Sequence, residues 1–240
     1  MTASHKMNFG GLGPSISPGH TSAAQRVYED LRERIVTLEL PPETTLSRSD
    51  LARTYGVSQT PIREAMQKLE QDGLIRIYPQ SRTEVSRIDV KELREAHFLR
   101  VALECEVVRR LAVMEDRSAL EQALAISEMQ VALRNKPDQF RMFSDLDKAM
   151  HRVLFEAVGM RALYELLARK LGHLARCQRL ELPRKGKVDT ILDQHRAVMD
   201  ALVARDPEAA VEAMRVHVSG TITRIEKLQH EFPDYFTNQS

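Results

Sequence analysis

The chain has 240 residues, 42% of them apolar and 29% charged, and a net charge of +1. Those values fit one large or two smaller globular domains. They exclude a membrane span, since no apolar run reaches the length a bilayer needs, and bulk charge offers no argument for a nucleic-acid partner, which must come from local placement.

Residues 1–21 are rich in Gly, Pro and Ser and lack the basic-then-apolar pattern of a secretory signal, so a disordered tail is expected there. From 22 the elements are short and mixed. Val27, Leu31, Ile35 and Leu38 stand at helical spacing until Pro41 and Pro42 end the pattern. A short helix follows over "SRSDLARTYG", with Ser49 as a possible N-cap and Gly56 as its stop. "VSQTPIREAMQKLEQDG" reads as a third helix, capped by Ser58, with Pro61 in its first turn and Gly73 at its end. "LIRIY" and "TEVSRI" around "PQSR" give a strand–turn–strand pattern.

Helix, helix, tight turn, helix and ribbon is the plan of a winged helix-turn-helix, expected over 22–88. Gly56 permits the bend, Val57 points into the small core, and the third helix can lie in a major groove. Its leading face offers Ser58, Gln59, Thr60 and Arg63, while Ala65, Met66 and Leu69 face inward. Gln59 can pair bidentately with adenine, and Arg63 with guanine or a phosphate. Arg48 and Arg53 can reach the backbone, and Arg82 sits at the wing tip. Seven basic against five acidic residues over 47–88 make a modest electrostatic footprint, so useful affinity calls for a dimer on an approximately palindromic operator. A small α/β unit used for protein contacts fits the same spacing.

From 89 to 232 every segment reads as helix: roughly 89–114, 116–134, 137–157, 160–181, 188–204 and 206–230, with 233–240 as a C-terminal tail. The fold class expected is therefore mainly α, a winged helix-turn-helix followed by an all-α antiparallel helical bundle. Cys105 and Cys177 lie in helical patterns without a CxxC spacing, as buried thiols of a cytoplasmic protein would.

In "SDLDKAMHRVLFEAVG", Asp147 and His151 share a face with Phe143, Met150, Leu154 and Val158. Burying two such groups costs free energy unless a hydrogen bond or an ion satisfies them. His195 lies on the stripe of Ile191, Val198, Met199 and Leu202, and His217 in line with Ala210, Ala213, Met214 and Thr221. Each alone fits a hydrogen-bonded core residue; as a set, three imidazoles and a carboxylate suit a borderline divalent ion, zinc first, with nickel, manganese or cobalt as alternatives. Arg100 lies on an apolar stripe too, with Ala96, Leu103 and Val107, and Glu104 is a possible ion-pair partner. His97 and His173 are lesser candidates for the same cavity, whereas Arg141, Arg169 and Arg176 are expected on solvated faces.

"LARTYGVSQTPIREAMQKLEQDGLI" resembles the DNA-binding signature of GntR-family bacterial regulators. The resemblance implies that Arg48, Arg53, Ser58, Gln59, Thr60, Arg63 and Arg82 face a double-stranded operator. Two departures stand out: many members have Arg where this chain has Gln59, and Gly near the wing tip where it has Thr83. "ELREAHFLRVALE", "DLDKAMHRVLFEAVG" and "DQHRAVMDALVARDPEAAVEAMRVHV" resemble the FCD effector domain of the FadR subfamily, in a six-helix VanR-type form. That resemblance implies Asp147, His151, His195 and His217 as metal ligands, and Arg100 as contact to the carboxylate of a small organic acid. It implies a homodimeric, ligand-responsive repressor and no enzyme. A metal-dependent enzyme using the same cluster, or a regulator with a purely structural metal, are the alternatives the residues leave open.

Overall fold

A computed structural model describes residues 22–237; the tail expected over 1–21 lies outside the described residues. The first unit contains α1 (Ala23–Val36), α2 (Arg48–Tyr55), α3 (Gln59–Gln71), β1 (Ile75–Ile77) and β2 (Thr83–Val85). Leu31 and Ile35 of α1 bury against Ile62, Met66 and Leu69 of α3, and Val57 packs at the edge of that core. Each of the five fully buried side chains contributes on the order of 1.5–3 kcal/mol. Gly56 stops α2 with φ 62°, a left-handed conformation that costs glycine nothing.

Two local expectations are corrected. Ser47, not Ser49, caps α2, because its side chain is the one placed to accept from the Asp50 N–H. Ser58 sits at the N-cap of α3 but its hydroxyl makes no cap bond. Pro61 occupies the third helical position and has no N–H to offer.

β1 and β2 pair antiparallel with Ile75 opposite Val85 and Ile77 opposite Thr83. Residues 43–46, which showed no strand pattern, add a third segment: Glu43 and Leu46 donate to Val85 and Thr83, and Val85 donates back to Thr44.

The second unit begins at once with α4 (Val90–Val113), followed by α5 (Ser118–Val131), α6 (Phe140–Ala157), α7 (Arg161–Lys170), α8 (Gly172–Glu181), α9 (Lys187–Val203), α10 (Pro207–Ser219) and α11 (Ile225–Glu231). Its core joins Val108 and Ala112 of α4 to Met150 and Phe155 of α6, Val198 of α9 and Met214 of α10. The six expected helices become eight among the described residues, since two of them break. The 160–181 segment breaks at Leu171, where a Cβ on Gly172 would lie 2.7 Å from the Leu74 side chain, so the close approach of the first unit requires glycine. The 206–230 segment breaks after Ser219, at Gly220 and Thr221.

The expected C-terminal tail is packed as far as Thr237. Ile88 donates to the Tyr235 carbonyl at 2.7 Å, Thr237 donates back to Ile88 at 3.0 Å, and Phe236 buries with Ile88, Leu93, Cys177 and Leu228.

Arg176, expected on a solvated face, is fully buried at the junction of the two units. Its Nη1 donates to the Ser86 carbonyl at 2.5 Å and its Nη2 to His173 Nδ1 at 2.9 Å. His173 Nδ1 also accepts from the Asp89 N–H, and its Nε2 faces Glu92 at 3.0 Å. Burial brings the Arg176 guanidinium down to about 10. The junction that periodicity could not foresee is what draws this cation inside.

Candidate metal centre and DNA-reading face

α6 carries Asp147 and His151 one turn apart, α9 carries His195 and α10 carries His217. The structure brings all four together: one donor atom from each lies within 4.8 Å of the others. His151 and His195 are buried, and Asp147 keeps some exposure toward a cavity.

The outer contacts decide which nitrogens point inward. Gln130 of α5 donates its amide to the Phe143 carbonyl at 3.2 Å, which turns its oxygen toward His195 Nδ1 at 2.9 Å. His195 Nδ1 therefore carries the proton, and its Nε2 presents a lone pair to the Asp147 carboxylate 3.2 Å away. His151 Nδ1 is held by Glu104, leaving its Nε2 facing His217 Nε2 at 3.0 Å. Lone pairs facing one another and a carboxylate repel unless a cation lies among them. Zinc–nitrogen bonds near 2.0–2.1 Å put neighbouring tetrahedral ligands about 3.3 Å apart. The 3.0 Å and 3.2 Å separations lie close to that value, while His151 Nε2 and Asp147 stand 4.0 Å apart, so the donor set fits a divalent ion once the wider pairs close in.

Burial alone would raise the Asp147 carboxyl, but the neighbouring His195, His151 and His217 hold it well below the usual carboxylate range. Burial pushes the His217 imidazolium far down, and the other two imidazoles add to that, so His217 is in the neutral, ligating form near pH 7. Burial likewise opposes ionisation of Glu104, yet His151 and Arg100 bring it to about 2.

Arg100 is buried and makes the ion pair with Glu104 at 2.6 Å; its Nη2 also lies 3.2 Å from His151 Nε2. It lines a cavity together with Asp147 and His217, and the centre of a water-sized sphere can reach about 100 Å3 of that space. His97 instead bonds Ser219 at 3.2 Å, and His173 belongs to the junction, so neither joins the cluster. Arg141 and Arg169 are exposed as expected.

Gln130 and Glu104 hold the outer nitrogens of His195 and His151, contacts that the sequence did not announce. A signal existed for their inward placement: Gln130 is seven residues from buried Ala123, and Glu104 is one turn after Arg100. Gln130→Leu should keep the fold and lower divalent-metal affinity about 10- to 100-fold, because His195 loses the partner that orients it. Competition against a chromophoric chelator measures this; unchanged affinity would reduce Gln130 to packing.

On the first unit, Arg48, Arg53, Ser58, Gln59, Thr60, Arg63 and Arg82 are all exposed. Gln59, Thr60 and Arg63 lead α3, while Arg48 opens α2. Arg53 is paired with Asp50, and Arg82 with Glu84 at 2.7 Å while stacking over the Tyr78 ring at 4.7 Å. Arg48, Gln59, Thr60 and Arg63 have no side-chain partner among the described residues. With the Ser58 cap bond missing, the first N–H groups of α3 and three hydroxyl or amide side chains stand together at a helix N-terminus, a favourable place for a phosphate.

Comparison with known proteins accounts for both units. Residues 23–85 match the family described as bacterial regulatory proteins, gntR family, and residues 92–220 match the FCD domain. The chain is 32% identical over 214 residues to an HTH-type transcriptional regulator in an unstable DNA locus of Streptomyces ambofaciens, covering 89% of each chain. It is 30% identical over 218 residues to the HTH-type transcriptional repressor RspR of Escherichia coli K12, covering 90% of this chain and 94% of RspR. The solved structure of E. coli McbR/YncC shares the fold with a TM-score of 0.73 over 87% of this chain and 99% of that one, at 18% identity.

Proposed function

The chain belongs to the gntR family of bacterial regulatory proteins and carries an FCD domain, and from that premise we propose a homodimeric repressor that senses a small organic acid through a bound divalent metal. The family and the relatives are DNA-binding transcription regulators, not enzymes. The observation that carries the sensing is the Asp147, His151, His195 and His217 cluster, in which Gln130 and Glu104 hold the outer nitrogens of His195 and His151 so that their Nε2 atoms face the other members. Zinc is the first choice for three imidazoles and one carboxylate. The ion would supply a Lewis-acid seat for a carboxylate oxygen. Arg100 would supply a guanidinium fork for the same carboxylate, exchanging its contact with His151 for one with the acid while Glu104 keeps it charged.

On DNA, Gln59 and Arg63 would read base edges, and Arg48, Arg53, Ser58, Thr60 and Arg82 would hold phosphates. A second copy doubles a small basic excess, and Phe98 and Val216, exposed apolar residues of α4 and α10, suit a face between copies.

The route between the sites is short. The acid cavity reaches Glu33, Val36 and Thr37 of α1, so the DNA reader forms part of its wall. α8 lines that cavity with Ala175 and Gln178 while His173 and Arg176 clamp the junction. Filling the cavity would therefore bias where the winged helix sits, with coupling on the order of 1–3 kcal/mol, a 5- to 150-fold change in operator affinity.

The test is operator binding, on a sequence found by in vitro selection, with the protein metal-free, metal-loaded, and metal-loaded with a panel of carboxylates. An acid effect that appears only with metal is the expected result. Metal binding without any acid effect would leave a structural ion and a constitutive repressor.

A further inference from the structure

The acid cavity does not end at the metal. Arg179 of α8 and Lys187 of α9, on either side of the turn at 182–186, line the same cavity as Arg100 and His217. Among the described residues no acidic side chain pairs with Arg179, although it is half-buried in the cavity wall. Lys187 is buried and gives one donor to Glu181 at 3.0 Å, with two more left to its ammonium. Gln178, Gln194 and Thr221 line the same stretch and make no side-chain hydrogen bonds to the described residues. A guanidinium, an ammonium, two amides and a hydroxyl thus border one small space with bonding capacity unspent.

We propose that these groups form a second carboxylate subsite, built on Arg179 with Lys187 contributing, so that the effector is a short dicarboxylic acid. The inference rests on the metal-and-Arg100 reading and names the class of acid it takes.

An apolar tail would close the cavity over these groups and leave each unsatisfied, at about 1–3 kcal/mol apiece and more for the charges. A carboxylate answers them. Its two oxygens match the planar fork of Arg179 and still accept from Lys187, and hydroxyls on the chain between would meet Gln194 and Thr221. Size sets the length. The cavity is small, with about 100 Å3 open to the centre of a water-sized sphere, which favours a short chain between the two carboxylates.

The experiment is calorimetric titration of the full-length, zinc-loaded protein with succinate and glutarate against butyrate and valerate, the monoacids of equal carbon count. It is repeated on Arg179→Gln, with metal content and melting temperature checked against the parent. The diacids are expected to bind about tenfold or more tightly than their monoacid counterparts. Arg179→Gln should erase that preference and leave monoacid affinity unchanged. Equal affinity for both kinds, tighter binding of a hydroxylated monoacid such as gluconate than of either diacid, or an equal loss for both kinds in the variant would overturn the second subsite while leaving the metal-and-Arg100 reading in place. If neither kind of acid binds the loaded protein, that reading fails and the subsite fails with it.

Discussion

Substituting His195 by alanine is expected to leave the purified protein essentially free of divalent metal, where the parent carries near one equivalent per chain. His195 is fully buried and its outer nitrogen is fixed by Gln130, so alanine removes a ligand that the fold holds in place. An ion held at 100 to 1,000 times its Kd stabilises the folded state by about 2.7–4.1 kcal/mol. For a chain of this size that is roughly 5–15 °C of melting temperature, at about 2–4 °C per kcal/mol. The alanine also opens a cavity, which lowers the melting temperature by itself. The chelator separates the two causes. It should shift the parent by the full amount and the variant not at all. His151→Ala should behave alike, with the additional loss of the Glu104 partner. A parent that purifies without metal, takes up none of zinc, nickel or manganese, and ignores the chelator would make the four residues a hydrogen-bonded polar core.

Arg63→Ala is expected to weaken operator binding by about 1–3 kcal/mol per half-site, hence about 2–6 kcal/mol for a dimer, and to relax the preference for one base pair in each half-site. Arg63 is exposed and without a partner in the free protein, so its removal costs the fold nothing that the structure shows. Arg48→Ala should differ in kind. It lies at the start of α2, away from the leading face of α3, and should weaken all sequences alike while lowering the salt slope by about one per copy. Fluorescence anisotropy on the operator, on single-base variants and across a salt series distinguishes the two. If Arg63→Ala weakens every sequence equally, it holds a phosphate and Gln59 carries the base contact alone.

What could be seen in the sequence was whatever a single element settles for itself. The glycine stops after α2 and α3, the inward faces of Met66 and Leu69, and the four cluster residues on apolar stripes are all settled within one helix. What escaped was made by contact between distant elements. Arg176 looks like an ordinary surface arginine until Ser86 arrives from the first unit, beside His173 of its own helix. The lack of room for a Cβ at Gly172 comes from Leu74, in the other unit. Residues 43–46 join the ribbon by hydrogen bonds to Thr83 and Val85, which no alternation of their own announces. The pair Arg100–Glu104 was visible as a possibility, but its attachment to His151 joins α4 to α6 and belongs to the tertiary structure.

The strap formed by Tyr235, Phe236 and Thr237 on Ile88 has a consequence for how the protein is made. Ile88 leaves the ribosome 148 residues before Phe236, counted from their positions. At about 5–20 residues per second, that is roughly 7–30 s of synthesis. Throughout that interval the winged helix can complete its own core, while the hydrophobic seam beneath Ile88 and Leu93 stays open. Nascent chains can therefore hold a finished DNA reader before they hold a finished sensor. The seam closes only with the last of these residues, so the junction held by Arg176 and His173 can form before the strap seals it. A tag or fusion placed directly after Thr237 would act on that closing step, whereas one ahead of Ser22 would leave it alone.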